Sequence, residues 1–525
     1  MAMDRLTAVY FSMICFILAG HVPLRLCCWG GSDLDKYTFE EAAIAADHET
    51  CSKIGRDIMR NLGGNAADAA IAAMLCVGVL NAHSAGLGGG HISVFYDRET
   101  GNAYEINARE RAPMKPSQDL INNPWKTDND LEPFTDLYVG YLGCFIDSST
   151  SRALPHNRLL NDNAMTIELC LDHCGSLGHA YAGLQYGKEC WCGKATDDYA
   201  LHGATSEYEC CHFCSGNNLQ KCGGSLRNTV YDLRQRATIT PSDLSQYETR
   251  RRPPLSAVIG DSTFYTAYPP GRGVVAAFVL NILEGFGFDA TSVPDGNHKV
   301  LGLTYHRIVE AFKFGCAKSA GLGDIEFDNG NVQNIVNTLL AKSTADQSRA
   351  KIRNESTLPV TEYGNHKGCQ VQTKGGTTHV SVLDQYGNAV AMTSSINQYF
   401  GARVRGNKTG IIYNDHMADF SHKKDANYVT NSGNEIVPGQ KKHPMSAMSP
   451  SIMVSKDGDV RLVTGGAGSD SITTSTTLVI TNSLRFGDNV KKSVKRPRIY
   501  YKGLTKKVQI ERELYKKVSI CFKGF

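Results

Sequence analysis

Nine of the seventeen cysteines fall between Cys144 and Cys222. So dense a cluster, in a stretch with few long apolar runs, means that disulfides replace a large core there, and disulfides persist in an oxidising compartment. Zinc fits the spacing poorly, because Cys190-Trp-Cys192 and Cys210 to Cys214 give CxC and CxxxC without a clean CxxC pair. The N-terminus points to the same compartment. Leu6 to Gly20 (LTAVYFSMICFILAG) is an apolar run behind Arg5, interrupted by His21 and Arg25. It is shorter than the roughly 20 residues a membrane span needs and has the length of a signal-peptide core. If Arg25 snorkels, the run reaches Trp29 and makes a single anchor. Residues 1–29 are therefore expected to be a signal peptide or signal anchor, placing the protein outside the cell or on the plasma membrane.

A chain of 525 residues exceeds one ordinary domain. Its 55 basic and 52 acidic residues are too balanced for a nucleic-acid partner. The imbalance is local: Lys491 to Phe525 holds twelve basic and two acidic residues, so the remainder carries −7. That tail reads as a solvated charge run. Cys51 to Asn81 has apolar residues at helical spacing, broken at Gly63-Gly64, and Gly86 to His91 is a glycine turn feeding a strand over 92–96. Asn102 to Arg109 alternates as a second strand, and helical spacing returns at Val274 to Gly287 and Gly302 to Gly321.

Lys374 to Phe400 (KGGTTHVSVLDQYGNAVAMTSSINQYF) carries the chemistry. His379 to Asp384 alternates as a strand, 385–388 turns, and Ala389 to Thr393 returns, which puts Gly375-Gly376-Thr377 at the head of a buried hairpin. Most such triplets only lead a loop into a strand. A threonine hydroxyl becomes a nucleophile when a base is near, and a free α-amine, with a pKa of about 7.7–8.0, is such a base. Cleavage between Gly376 and Thr377 would put that amine on the nucleophile's own residue, and the preceding glycines permit the strained backbone an N-to-O acyl shift requires.

Two resemblances extend this reading. YLGCF, YAGLQYGKECWCG and CGGSLRNTVYDL resemble a WSC domain, expected over 137–235. The resemblance implies eight paired cysteines (144, 170, 174, 190, 192, 210, 214 and 222), an unpaired Cys211, and carbohydrate binding by a fold displaying Tyr181, Tyr186 and Trp191. Outside it, CSKIGRDIMRNLGGNAADAAIAAMLCVG, NAHSAGLGGG, INARERAP, GLTYHRIVEAFKF, GGTTHVSVLDQYGNAVAMTSSIN and HPMSAMSPSIMV resemble gamma-glutamyltranspeptidase (glutathione hydrolase), an N-terminal-nucleophile hydrolase. This implies an α+β chain: a four-layer αββα sandwich interrupted by the small disulfide-rich module. The large-subunit parts are expected at 30–136 and 236–376 and the small subunit at 377–525. It further implies self-cleavage before Thr377 into large and small subunits that stay together, and a Cys51–Cys76 disulfide.

The resemblance also carries site residues. Thr377 is the nucleophile, and Ser395 keeps a hydroxyl where the family has a second threonine. Arg109 stands where an arginine clamps the substrate α-carboxylate, Asn397 matches the motif's asparagine, and Asp419 matches the aspartate that holds the α-amino group. Ser446 and Ala447 occupy the family's serine pair, and Gly468 and Ser469 its oxyanion-binding glycine pair. His416 replaces a glutamate or glutamine, so that hydrogen bond to the amine must change, and Ala418 replaces an acid. INARERAP is followed almost directly by YVGYLGCF, so the module replaces part of the large subunit and should leave apolar surface exposed. Residues 499–525 drift from the family's ending.

Two functions follow. One is a gamma-glutamyltransferase and glutathione hydrolase that passes the gamma-glutamyl group of glutathione to water, amino acids or dipeptides. The other is a catalytically weak, carbohydrate-binding surface protein on a decayed scaffold. No nucleotide, redox cofactor or metal is indicated, because nucleophile and base share one residue.

Overall fold

A computed structural model describes residues 41–113, 141–161, 163–233, 241–327, 330–364, 375–406, 409–420, 441–503 and 507–522. The apolar N-terminal run, Asn407 of an Asn-Lys-Thr sequence suited to N-glycosylation, and part of the basic tail lie outside the described residues. Among those described, no helix is long and apolar enough to cross a membrane. The chain forms two compact units, one of residues 1–112, 247–402 and 408–525, the other of 113–246 and 403–407.

The first unit is built on a hairpin. Strands β14 (Gly376–Leu383) and β15 (Ala389–Asn397) pair antiparallel and form the centre of a six-stranded sheet. Its order is β1 (Ala43–Ala45), β14, β15, β2 (Gly90–Tyr96), β3 (Ala103–Ala108) and β11 (Arg250–Arg252). Side chains alternate across a strand, so β14 sends Thr378, Val380 and Val382 to one buried face and Thr377, His379 and Ser381 to the other. The first face packs on two helices, α1 (Glu49–Leu62) and α2 (Ala66–Leu80), through Ala69, Ala73 and Val77. Their local signals are strong. Gly63 ends α1 in the left-handed region at φ 70°, and Asn65 caps α2 by accepting from the Ala67 and Asp68 N–H groups.

The other face meets a second, four-stranded sheet of β12 (Leu255–Ile259), β13 (Ser262–Thr266), β16 (Ser451–Ser455) and β17 (Val460–Thr464). Val94, Tyr96, Ala389 and Ala391 pack there against Ile452 and Val454. Beyond the second sheet, helices α4 (Gly273–Glu284) and α5 (His298–Lys318) cover Leu255, Phe264 and Met453. Helix, sheet, sheet, helix is the αββα sandwich expected from the motifs. α2 also carries Ile71, Leu75 and Val79 on its outer side, 54%, 55% and 75% exposed.

In the second unit, a five-stranded sheet of β4 (Tyr141–Ile146), β10 (Arg227–Asp232), β6 (Tyr181–Gln185), β7 (Glu189–Gly193) and β5 (His156–Leu160) packs on helix α3 (Ile167–Ser176). Disulfides join Cys144 to Cys210, Cys170 to Cys190, Cys174 to Cys192 and Cys214 to Cys222, leaving Cys211 free and exposed. These pairings consume the sulfurs a metal would need. One expectation needs correction. Tyr181 is buried among the sheet's own side chains, and Trp191 is half-buried, with Arg152 4.2 Å and Arg158 5.1 Å from its ring centre. Only Tyr186 of the three is openly displayed.

Cys51 and Cys76 are bonded and tie α1 to α2, closing a loop with a sequence separation of 25. Loop-closure entropy sets the expected effect: replacing both by alanine should lower unfolding free energy by roughly 3–4 kcal/mol, read from urea denaturation of the oxidised protein.

Candidate active site

The pairing of β14 with β15 places the catalytic candidates. Gly376 pairs with Asn397 and Thr377 with Ser395, so a bulge falls at the Gly376–Thr377 bond and Ile396 is skipped. Ser395, buried, joins both residues: its Oγ donates to the Gly376 carbonyl at 2.6 Å and accepts from Thr377 Oγ1 at 3.2 Å and from the Asn397 N–H at 2.9 Å. Asn397 is held at φ 73° and donates its Nδ2 to the Asp415 carbonyl at 3.2 Å. His379 shares the Thr377 face, but its ring nitrogens face Thr393 and Ser381 at 2.8 and 3.0 Å rather than the nucleophile candidate.

Arg109, at the end of β3, is 1% exposed rather than a surface arginine. Its Nε donates to the Pro444 carbonyl at 2.7 Å, and Nη2 donates to Met445 O at 2.9 Å and Asp419 Oδ2 at 2.8 Å. Nη1 is buried without a hydrogen-bond partner, 3.8 Å from Glu110. Glu110 also lies 2.9 Å from Nδ1 of His416. Burial alone would raise the Glu110 carboxyl, but the neighbouring His416 and Arg109 outweigh it and hold its pKa below the usual range. Beside them, burial pushes Asp415 up to about 6, against the hydrogen bond its Oδ1 accepts from the Gln398 N–H.

One cavity is lined by Arg109, Thr377, Ser395, Asn397, His416, Asp419, Ser446, Ala447 and Ser469. These are all the expected site residues but one. Gly468 sits next to the cavity at φ 124°, with its carbonyl accepting from Ser471 N–H and Oγ. Ser469 adopts φ 57°, a left-handed conformation that glycine enters freely and serine does not. The Ser446 hydroxyl accepts from the Met448 N–H. Gly375 of the expected cleavage segment also lines the cavity, as do residues that the sequence motifs did not mark: Met445, Ile472 and the Arg272–Asp470 pair. Arg272 had a signal, since Pro-Pro-Gly-Arg immediately precedes an apolar helix.

A threonine opening the central hairpin of an αββα sandwich, with its hydroxyl bonded into a polar cavity, defines an N-terminal-nucleophile hydrolase. The model of the gamma-glutamyltranspeptidase family matches residues 51–138 and 224–521, and that of the WSC domain matches 141–224. The chain therefore belongs to the gamma-glutamyltranspeptidase family of enzymes and carries a WSC domain. It is 32% identical to glutathione hydrolase 5 proenzyme of Rattus norvegicus, covering 87% of this chain and 81% of that protein. It is 30% identical to scoloptoxin SSD14 of Scolopendra dehaani, over 90% of this chain and 83% of the other. Among solved structures, a cephalosporin acylase from Bacillus halodurans superposes with a TM-score of 0.58 over 94% of this chain and 91% of its own, at 16% identity, a likeness of fold.

His443 backs this site, its Nδ1 3.0 Å from the Glu110 carbonyl. Burial, with Arg111 adding to it, brings its pKa down to about 4. An unfolded histidine titrates near 6.5, so lowering the pH from 6.5 to 5 protonates mainly the unfolded state and withdraws roughly 1–2 kcal/mol of stability at this residue. NMR titration should find the ring neutral at pH 5; a midpoint above pH 5.5 would contradict the burial argument.

Proposed function

We propose that the protein is a gamma-glutamyl acyl-transfer enzyme and glutathione hydrolase that cleaves itself before Thr377. The observation that carries this reading is Ser395 bridging the Thr377 hydroxyl to the carbonyl of the bond to be cut. In the precursor, Thr377 Oγ1 attacks the Gly376 carbonyl carbon, which the Ser395 hydroxyl polarises. The hydroxyl proton passes to the departing amide nitrogen. The resulting ester is hydrolysed, leaving a Gly376 carboxylate and a free Thr377 α-amine.

In turnover that amine takes the hydroxyl proton as Thr377 attacks the gamma-glutamyl carbonyl, and the proton then goes to the leaving amine. Backbone N–H groups of Gly468 and Ser469 hold the oxyanion. The donor's α-carboxylate takes the idle Nη1 of Arg109, and its α-ammonium replaces Arg109 as the partner of Asp419. Ser446 and Asn397 complete the polar wall. His416, already turned to Glu110, gives the amine no second carboxylate, so donor binding is weaker than an acid at this position would make it. The acyl group passes to water or to an amino acid or dipeptide.

The disulfides support an extracellular setting, and Tyr186, 50% exposed, offers the WSC domain a stacking surface for carbohydrate. The competing reading, a weak enzyme kept for sugar binding, draws on His416, Ala418, Ala447 and the strained Ser469.

Denaturing electrophoresis separates the two. Self-cleavage gives two subunits, and Thr377→Ala should leave one band and reduce release from gamma-glutamyl-p-nitroanilide by roughly 10⁴-fold or more. Ser395→Ala removes one hydrogen bond to the reacting carbonyl and should slow processing roughly ten- to a hundred-fold. A single uncleaved band from well-folded wild-type protein, with no anilide turnover, would favour the sugar-binding reading.

A further inference from the structure

Arg272 has no part in the chemistry above, yet it lines the same cavity as Thr377. It immediately precedes α4, and Asp470 immediately precedes helix α6 (Ser471–Leu484). Its backbone N–H donates to Met448 O at 3.0 Å and its Nη1 to Asp470 Oδ1 at 3.2 Å, while Nε is buried without a hydrogen-bond partner. A guanidinium has no acceptor capacity, so a desolvated N–H of this kind is stabilised only by an incoming oxygen. Arg109 shows the same arrangement, with one edge fixed by an aspartate and another nitrogen idle.

A second cavity shares the Arg272–Asp470 pair. Val275, Val279 and Phe312 supply apolar walls, and Tyr500, Thr473 and Thr474 line it as well. One cavity with two arginines, one of which also lines an adjoining, partly apolar cavity, asks for a ligand with two separated anionic groups.

A gamma-glutamyl peptide is such a ligand. One carboxylate is on the glutamyl α-carbon, the other ends the leaving peptide, and the reacting carbonyl lies between them. Arg109 cannot serve both, because the gamma link and the peptide backbone separate them. We propose that Arg272 binds the C-terminal carboxylate of the leaving peptide, and that the second cavity receives apolar side chains next to that carboxylate. Attack of an amine on the acyl-enzyme retraces the departure of the leaving amine. The acceptor therefore occupies the same subsite, and Arg272 selects amino acids and dipeptides with a free carboxylate over amidated ones.

This rests on the gamma-glutamyl transfer reading, and the experiment separates the two. Full-length processed enzyme, wild type, Arg272→Gln and Arg272→Lys, is assayed with glutathione, with glutathione amidated at its glycine carboxylate, and with gamma-glutamyl-p-nitroanilide. The wild type should prefer glutathione to its amide by roughly tenfold or more in kcat/KM, the scale of a charge-assisted hydrogen bond. Arg272→Gln should bring that ratio to within about threefold of unity, with Arg272→Lys between the two. Anilide turnover by a wild type that does not distinguish glutathione from its amide overturns the Arg272 assignment alone. So does a ratio that survives Arg272→Gln. If Arg272→Gln fails to fold or to process, the wild-type ratio and Arg272→Lys decide. No anilide turnover by the wild type instead sinks the transfer reading.

Discussion

The site depends on a register. Ser395 can touch both Thr377 and the Gly376 carbonyl only because the bulge at that peptide bond sets Thr377 opposite Ser395 while Gly376 pairs with Asn397. A slip by one residue would turn Thr377 toward α1 and α2 and bring His379 and Ser381 to the helix face. The packing forbids it. Val380 and Val382 are fixed against the alanine face of α2, and Ala389 and Ala391 against Ile452 and Val454 of the facing sheet. A hairpin buried on both faces has no free register, so hydrophobic packing some distance from the Gly376–Thr377 bond decides where the Thr377 hydroxyl points.

Charge is organised with similar economy. Arg109 and Asp419 hold each other at 2.8 Å, and Glu110 faces His416 at 2.9 Å. Burying these groups singly would be costly, and pairing them offsets part of that cost. A zwitterionic amino acid can exchange with the first pair, since it brings one charge of each sign. It cannot exchange with the second on the same terms, because His416 meets an ammonium as a neutral acceptor at best. On the proposed gamma-glutamyl transfer reading, selectivity at the amine end therefore rests on Asp419.

Much of this was legible in the chain. The break at Gly63-Gly64 and the β14–β15 hairpin follow from local rules, glycine conformations and period-two alternation, and cysteine density marks the core-poor segment as disulfide-stapled; which eight cysteines pair came only from the resemblance to a WSC domain. Arg109 was harder. Its strand context suits a surface residue equally well, and its burial comes from Pro444 and Met445, more than 300 residues away in sequence. Glu110 facing His416, and Arg272 joining the cavity, are likewise contacts between distant segments that no local pattern encodes. Tyr181 failed for the opposite reason. An aromatic in a small disulfide-rich unit was expected on display, but with so little aliphatic material there the ring is needed as core.

Ser469 shows how the scaffold absorbs a change at its most demanding loop. A serine at φ 57° costs of order 1 kcal/mol or more, so its neighbours must over-determine the turn. They do. Ser471 donates N–H and Oγ to the Gly468 carbonyl, the Ile472 N–H reaches the Ser469 carbonyl at 3.1 Å, and Asp470 is tied to Arg272. A Cβ on Gly375 would stand 3.2 Å from that of Ser469, so the segment leading to Thr377 is threaded past this loop with little room. The left-handed turn at residues 468 and 469 and the glycines that precede Thr377 thus constrain each other. A larger side chain at position 375 would be felt in the 468–469 turn before it was felt in the strand.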